Sequence, residues 1–170
     1  MIKLAALGLL VLVGAVLAVA ATRPDVFRVQ RGASIQAPPE RIYPLIADFG
    51  RWSEWSPYEK KDPGMKRSIQ GTFYAWEGNG EVGVGRMEIV EADAPSRVRI
   101  KLDFVKPFEA HNMIEFSLER KADATSVTWD MRGPATLPSK VIGLFLDMDA
   151  MVGKDFEAGL ASLKAIAEAK

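Results

Sequence analysis

Proton-transfer chemistry in this chain would rest on few groups. His111 is the single histidine, and imidazole is the one side chain whose unperturbed pKa lies near neutrality. A positioned imidazole could take a proton from a bound hydroxyl or activated carbon. Beside it stands Asn112, whose amide can donate to or accept from a polar group of a bound molecule. Glu77, Asp147 and Asp149 stand where a cavity could open, as rim groups or as plain solvated acids. The chain has no cysteine, so thiolate metal sites, disulfides and a cysteine nucleophile are excluded. A zinc site built on several histidines is excluded too, and no metal or cofactor is expected.

Gly78-Asn-Gly80-Glu-Val-Gly83 has the spacing of a dinucleotide-binding loop. That chemistry needs a strand before the glycines and a helix after them. Strand-like sequence flanks this run on both sides, so a glycine-rich hairpin through Asn79-Gly80 is the expected structure. The formal net charge is zero, with 22 basic and 22 acidic residues. Such a balance gives no long-range attraction to nucleic acid, and no nucleic-acid partner is expected.

The elements that must position these residues follow from periodicity. Val26 to Ala37 reads as a strand. Pro38-Pro39-Glu40 then starts a helix whose Ile42, Leu45, Ile46 and Phe49 share one face. Trp52 and Trp55 are three apart and share a face of a second short helix that Pro57 ends. From Met65 to Gly133 the pattern is β. Val98, Ile100, Leu102 and Phe104 alternate with Arg99, Lys101 and Asp103, and Asn112, Ile114, Phe116 and Leu118 alternate with polar neighbours. Val127, Trp129 and Met131 do the same. One face is therefore apolar and the other wet, and short connections imply antiparallel hairpins. This parity turns His111, Asp103, Glu115 and Asp130 to the wet face and Asn112 to the apolar one. Leu137 to Lys170 is helical, with Met148, Met151, Val152, Phe156, Leu160, Leu163, Ile166 and Ala167 in one stripe.

Ahead of these elements, Leu4 to Ala21 is an uninterrupted apolar run. A helix of that length would be about 27 Å long, at the short end of what spans a hydrocarbon core. The expectation is a membrane-anchoring helix in residues 1–23 with a domain in 24–170 held outside the cytoplasm. The small residues Ala18 and Ala20 leave cleavage as a signal segment open.

A strand, two short helices, a run of antiparallel strands and one long helix make an α+β chain. A sheet of about six to seven strands with one apolar face must cover that face, and the last helix is the element large enough to do so. Four local patterns strengthen this order: Ile35-x-Ala-Pro-Pro-Glu-Arg-Ile-Tyr43, Trp52-x-x-Trp-Ser-Pro57, Thr125-x-Val-x-Trp129 and Gly159-Leu-x-x-Leu-Lys164. In this order they resemble the SRPBCC (START and pollen-allergen-like) superfamily, in its bacterial polyketide cyclase/dehydrase-like group, from Val29 to Ala167. The resemblance implies a helix-grip fold, a curved sheet wrapped on the C-terminal helix with a cavity between. Its members include binders, transporters and a few enzymes on one scaffold, so it guides fold more than chemistry.

The cavity is then the default site. Trp76, Met87, Phe104, Asn112, Phe116, Trp129 and Met131 would face it from strands, and Trp52, Trp55, Phe145, Met148 and Met151 from helices and rim. Ordinary core packing accounts for most such residues taken singly, and a backbone hydrogen bond would account for Asn112. As a set, methionine and aromatic walls suit varied apolar ligands. The expected function is a membrane-tethered binding or carrier domain for a hydrophobic small molecule or lipid. The alternatives are a cyclase/dehydrase-type enzyme in the same cavity and a non-catalytic interaction module of the cell envelope.

Overall fold

The computed structural model describes the backbone of residues 2–169 and the side chains of residues 6–169. Helix α1 (Ile2–Ala21) leads into β1 (Val26–Ile35). Three short helices follow: α2 (Pro39–Ala47), α3 (Trp52–Trp55) and α4 (Pro57–Lys61). Strands β2 (Lys66–Gln70), β3 (Phe73–Glu77), β4 (Val84–Asp93), β5 (Arg97–Lys106), β6 (Ala110–Lys121) and β7 (Ala124–Pro134) come next, then α5 (Leu137–Ile142) and α6 (Met148–Glu168).

The strands form one seven-stranded sheet in the order β1-β7-β6-β5-β4-β3-β2. Every pairing is antiparallel. The six later strands are a plain meander, as their short connections require. Strand β1 closes the other edge by pairing with β7 along its whole length, from Val26 opposite Pro134 to Ile35 opposite Thr125. Two irregularities in the β4–β5 pairing, at Val84/Gly85 and Ile89/Glu91, bend this part of the sheet. The glycine-rich segment is the tip of the β3–β4 hairpin, where Gly78 N donates to Gly83 O and Gly83 N to Asn79 O, both at 2.8 Å.

Val29, Ile35, Val98, Ile100, Leu102, Ile114, Phe116, Leu118, Val127 and Trp129 are buried on the concave side, the face that alternation assigns. Helix α6 lies across this side and packs most heavily on β1. Its buried residues start at Gly153 and continue through Phe156, Gly159, Leu160, Leu163 and Ala167. The helical region expected from Leu137 onward is divided into two helices. Asp147 caps the second, its side chain accepting from Ala150 N at 2.9 Å, and the chain between Gly143 and Asp147 turns between them.

The N-terminal expectation is corrected. A helix forms, but among the described residues no helix is long and apolar enough to cross a membrane. Membrane anchorage through residues 4–21 and an extracytoplasmic placement of the domain lose their basis with it. Lys3, on which the expected orientation partly rested, lies outside the residues whose side chains are described. The end of α1 is tied to the domain: Ala20 is buried, and α1 packs on α5.

Candidate functional site

The space between sheet and helix is occupied by two groups of side chains. The inner group is aromatic. Helix α3 brings Trp52 and Trp55 to one side, with ring centroids 5.0 Å apart. Trp55 meets Phe116 edge-on at 6.0 Å and Trp129 at 5.6 Å. Phe116 and Trp129 sit on adjacent, paired strands at 4.8 Å. Phe156 of α6 stacks flat on Trp129, 4.0 Å away and 9° from parallel. Phe49 completes the group against Trp52 at 5.1 Å. Trp52 and Trp55 are held by their indole N–H groups, which donate to Ile46 O at 2.9 Å and Leu45 O at 2.8 Å.

The outer group lies nearer the β3–β4 and β5–β6 turns. Trp76 meets Phe104 edge-on at 5.6 Å and donates to Val82 O at 3.2 Å. Met87 lies between Tyr74 and Leu102 in the strand register, and Asn112 faces Leu102 from β6. Met131 sits between Ile114 and Val29. Met87 and Met131 are buried, whereas Phe104 and Asn112 are half-buried. The remaining three candidates stand apart. Phe145 is 74% exposed, Met151 55% and Met148 37%. They precede the buried part of α6, and Phe145 and Met148 line a solvent-open hollow with Arg23, Leu144, Leu146 and Asp147. A second open hollow, of about 490 Å³, lies at the hairpin glycines against Lys106 and Pro107. Neither hollow lies between sheet and helix.

Charge is sorted by sheet face. On the concave face Arg67 stands opposite Trp76 and pairs with the nearly buried Glu59, and Arg31 stands opposite Trp129 in the β1–β7 register. All five donors of Arg31 are engaged. Nε reaches Glu157 at 2.8 Å. Nη1 reaches Gln30 O at 2.8 Å and Asp149 Oδ1 at 3.1 Å. Nη2 reaches Asp149 O at 3.0 Å and Asp149 Oδ2 at 2.9 Å. The two acids hold the guanidinium charged. The clamp crosses α6 at Gly153, where a Cβ would stand 1.9 Å from Arg31 Nη2, so only glycine allows this approach. Asp149, expected near an opening, is thus the partner of Arg31.

The convex face carries the acids. Asp103 and Asp130 alternate outward as expected, yet they are only 5% and 4% exposed. Long cationic side chains cover them. Asp130 accepts from Arg28 Nε at 2.5 Å and Arg132 Nε at 2.8 Å. Asp103 faces His111 Nδ1 at 2.7 Å, Arg86 Nε at 3.1 Å and Lys101 Nζ at 3.4 Å. These partners, His111 foremost, hold the Asp103 carboxyl at about 2, and the same contact raises the His111 pKa from its ordinary value. The His–Asp pair is therefore on the far side of the sheet from the helix. Among the described residues no group of three His, Asp or Glu gathers closely enough to hold a metal ion.

Sequence reasoning placed the strand residues of both groups by parity. It missed Phe49, Tyr74 and Phe156 as ring partners, and it missed Arg31. Parity with Phe27 and Val29 does put Arg31 inward, but its partners lie more than a hundred residues away.

Comparison with known proteins agrees with this architecture. No curated protein sequence matches the chain. Among solved structures, the chain is similar to a protein from Chromobacterium violaceum, with 15% identity and a TM-score of 0.59, over 86% of this chain and 100% of that one. It is similar to the Aha1 dimer from Colwellia psychrerythraea, with 18% identity and a TM-score of 0.60, over 84% and 96%. It is also similar to the di-domain ARO/CYC protein BexL, with 11% identity and a TM-score of 0.64, over 89% of this chain and 53% of BexL, about half its length. These likenesses establish the fold. A family model described as polyketide cyclase/dehydrase and lipid transport matches residues 26–168, from the first strand to the end of α6. The chain belongs to that family, and with it to the SRPBCC superfamily.

Proposed function

We propose that this domain binds and carries a hydrophobic small molecule or lipid between its sheet and helix α6. The observation that carries the reading is the sorting of charge. Wall residues of the outer group are aromatic, aliphatic or methionine apart from the half-buried Asn112, the inward Arg31 and Arg67 are paired with Asp149, Glu157 and Glu59, and the buried acids Asp103 and Asp130 lie on the opposite face. An interior of that kind favours an apolar guest and gives a charged one no free counter-ion. The family's description, which covers lipid transport, points the same way. Room for a guest must come from Met87, Met131, Phe104 and Trp76, because the inner aromatic group is closed. Methionine is unbranched and re-packs at low cost.

The test is native mass spectrometry of the purified full chain, followed by extraction and identification of bound material. The expected result is an apolar adduct that leaves on denaturation. A ligand-free mass, together with no thermal shift from a panel of apolar compounds, would sink the reading.

A cyclase/dehydrase-type enzyme is the alternative that the family description and BexL suggest. It requires a proton donor or acceptor facing the guest, and Asn112, half-buried at the mouth, is the polar side chain on hand there. An Asn112→Ala variant that binds normally but no longer turns over a polyketide substrate would favour it. A non-catalytic interaction module is favoured by a different observation, the exposed Leu137, Phe145, Leu146 and Met151.

A further inference from the structure

The four tryptophans divide three to one. Trp52, Trp55 and Trp76 each donate their indole N–H to a backbone carbonyl. Trp129 Nε1 is buried and has no acceptor. It belongs to a side chain that is 1% exposed, on the concave face one strand in from the sheet edge. Helix α6 is shaped around this ring: Phe156 stacks on it, and a Cβ at Gly159 would come within 2.8 Å of its Cζ3.

Neighbouring donors on the same face are already engaged. Thr125 Oγ1 donates to Ala37 O at 2.7 Å, Tyr74 Oη to Glu59 at 3.0 Å, and Arg31 has no donor left. The other buried side-chain donors without an acceptor, Arg97 Nε and Arg99 Nε, belong to residues that alternate to the convex face. Among the described residues, Trp129 Nε1–H is thus the fully buried side-chain donor of this face that has no acceptor. A buried donor without a partner is rare in folded proteins and points to a missing acceptor.

We infer that Trp129 Nε1–H is the polar anchor of the ligand site, and that the ligand is a neutral apolar molecule bearing an oxygen acceptor, such as a ketone, ester or amide. This rests on the binding reading above and narrows its ligand class. The acceptor must be neutral because a carboxylate would lose its hydration for a single neutral N–H, with the inward Arg31 and Arg67 already paired with Asp149, Glu157 and Glu59. A plain hydrocarbon fits the walls but leaves the donor unpaired. Met131, two residues along the same strand and face, is the side chain placed to yield as the acceptor approaches.

Three probes of similar size decide the matter: 2-acetylnaphthalene, 2-ethylnaphthalene and 2-naphthoate, titrated calorimetrically into the full chain. The ketone is expected to bind about fivefold tighter than the ethyl compound, as one net hydrogen bond implies, and the carboxylate weakest. In protein labelled with 15N-tryptophan, the Trp129 indole proton, assigned through its contacts to the Phe156 ring, shifts downfield with the ketone and not with the ethyl compound. Trp129→Phe removes the ketone's advantage over the ethyl compound, whatever the smaller ring costs in ligand-free stability. If that variant fails to fold, the indole shift in the unaltered chain decides alone. Equal binding of ketone and ethyl compound, tightest binding of the carboxylate, or an unmoved Trp129 indole signal each overturn this inference and leave the binding reading standing. Failure of all three probes to bind overturns both.

Discussion

The two faces of the sheet solve the burial problem in opposite ways. On the concave face, rings and aliphatic side chains exclude water, and Trp52, Trp55, Phe116, Trp129 and Phe156 touch edge to face or face to face. On the convex face, long cationic side chains lie over short acids, so Asp103 and Asp130 are as dry as many core residues. The aliphatic stems of Arg28, Arg86, Lys101 and Arg132 replace the missing layer of structure, and their charged ends stay half in water. Burial and apolar surroundings are therefore separate properties in this molecule. The convex face buries Asp103 and Asp130 under cations, whereas the concave face is mainly apolar contact, with Arg31 and Arg67 paired to acids of the helices and one fully buried N–H left free.

Breaking the concave face should have the largest effect. Trp129→Ala removes the ring shared by Trp55, Phe116 and Phe156 and is expected to cost about 3–5 kcal/mol, read from chemical denaturation. Gly153→Ala comes next. It pushes the Arg31 guanidinium off α6 and opens the link to Asp149 and Glu157, and a loss of about 1–3 kcal/mol is expected in the same assay. A double variant, Gly153→Ala with Arg31→Ala, should lose less than the two single losses combined, because both act on one clamp.

The convex face should respond to pH instead. Asp103 has a folded pKa of about 2, below its unfolded value of about 3.8. Its contribution to stability is present above the unfolded value and is lost as pH falls toward 2. His111 has a raised folded pKa, so its contribution is complete below the unfolded value of about 6.5 and disappears as pH rises through the folded one. Asp103→Asn should flatten the acid limb of a stability profile and bring the His111 titration, followed by NMR, back down. Unchanged His111 titration would break the assigned pairing. The smallest effect is expected on the surface, where Arg120→Ala removes an exposed pair with Glu40 and should change stability by less than about 0.5 kcal/mol.

Much of this contrast is legible in the amino-acid pattern. A strand's side chains alternate because of the pleat, and that rule involves only near neighbours along the chain. It places Asn112, Phe116, Trp129 and Met131 inward and His111, Asp103 and Asp130 outward, as the structure has them. Strand order is similarly local, since five successive hairpins leave little choice until β1 joins β7. At the ends of the chain the pattern misled. The apolar run ahead of Thr22 suggested a membrane span, but no helix among the described residues is long and apolar enough to be one. Met148 and Met151 fit the helical stripe and Phe145 is expected beside it at the rim, yet Phe145 and Met151 stand in solvent, because a stripe records periodicity without saying where the partner surface stops.

By itself the sequence determined the element types, the meander, the face that each strand residue takes and the absence of thiol or multi-histidine chemistry. These follow from local sterics and composition. Tertiary structure alone decided that Asp103 and Asp130 are buried, that Arg31 crosses α6 at Gly153, and that of four indole donors only Trp129 lacks an acceptor among the described residues. Each of these depends on groups that meet from distant parts of the chain. How dry a side chain is, and which hydrogen bond remains unmade, are properties of that meeting and leave no mark on the local pattern.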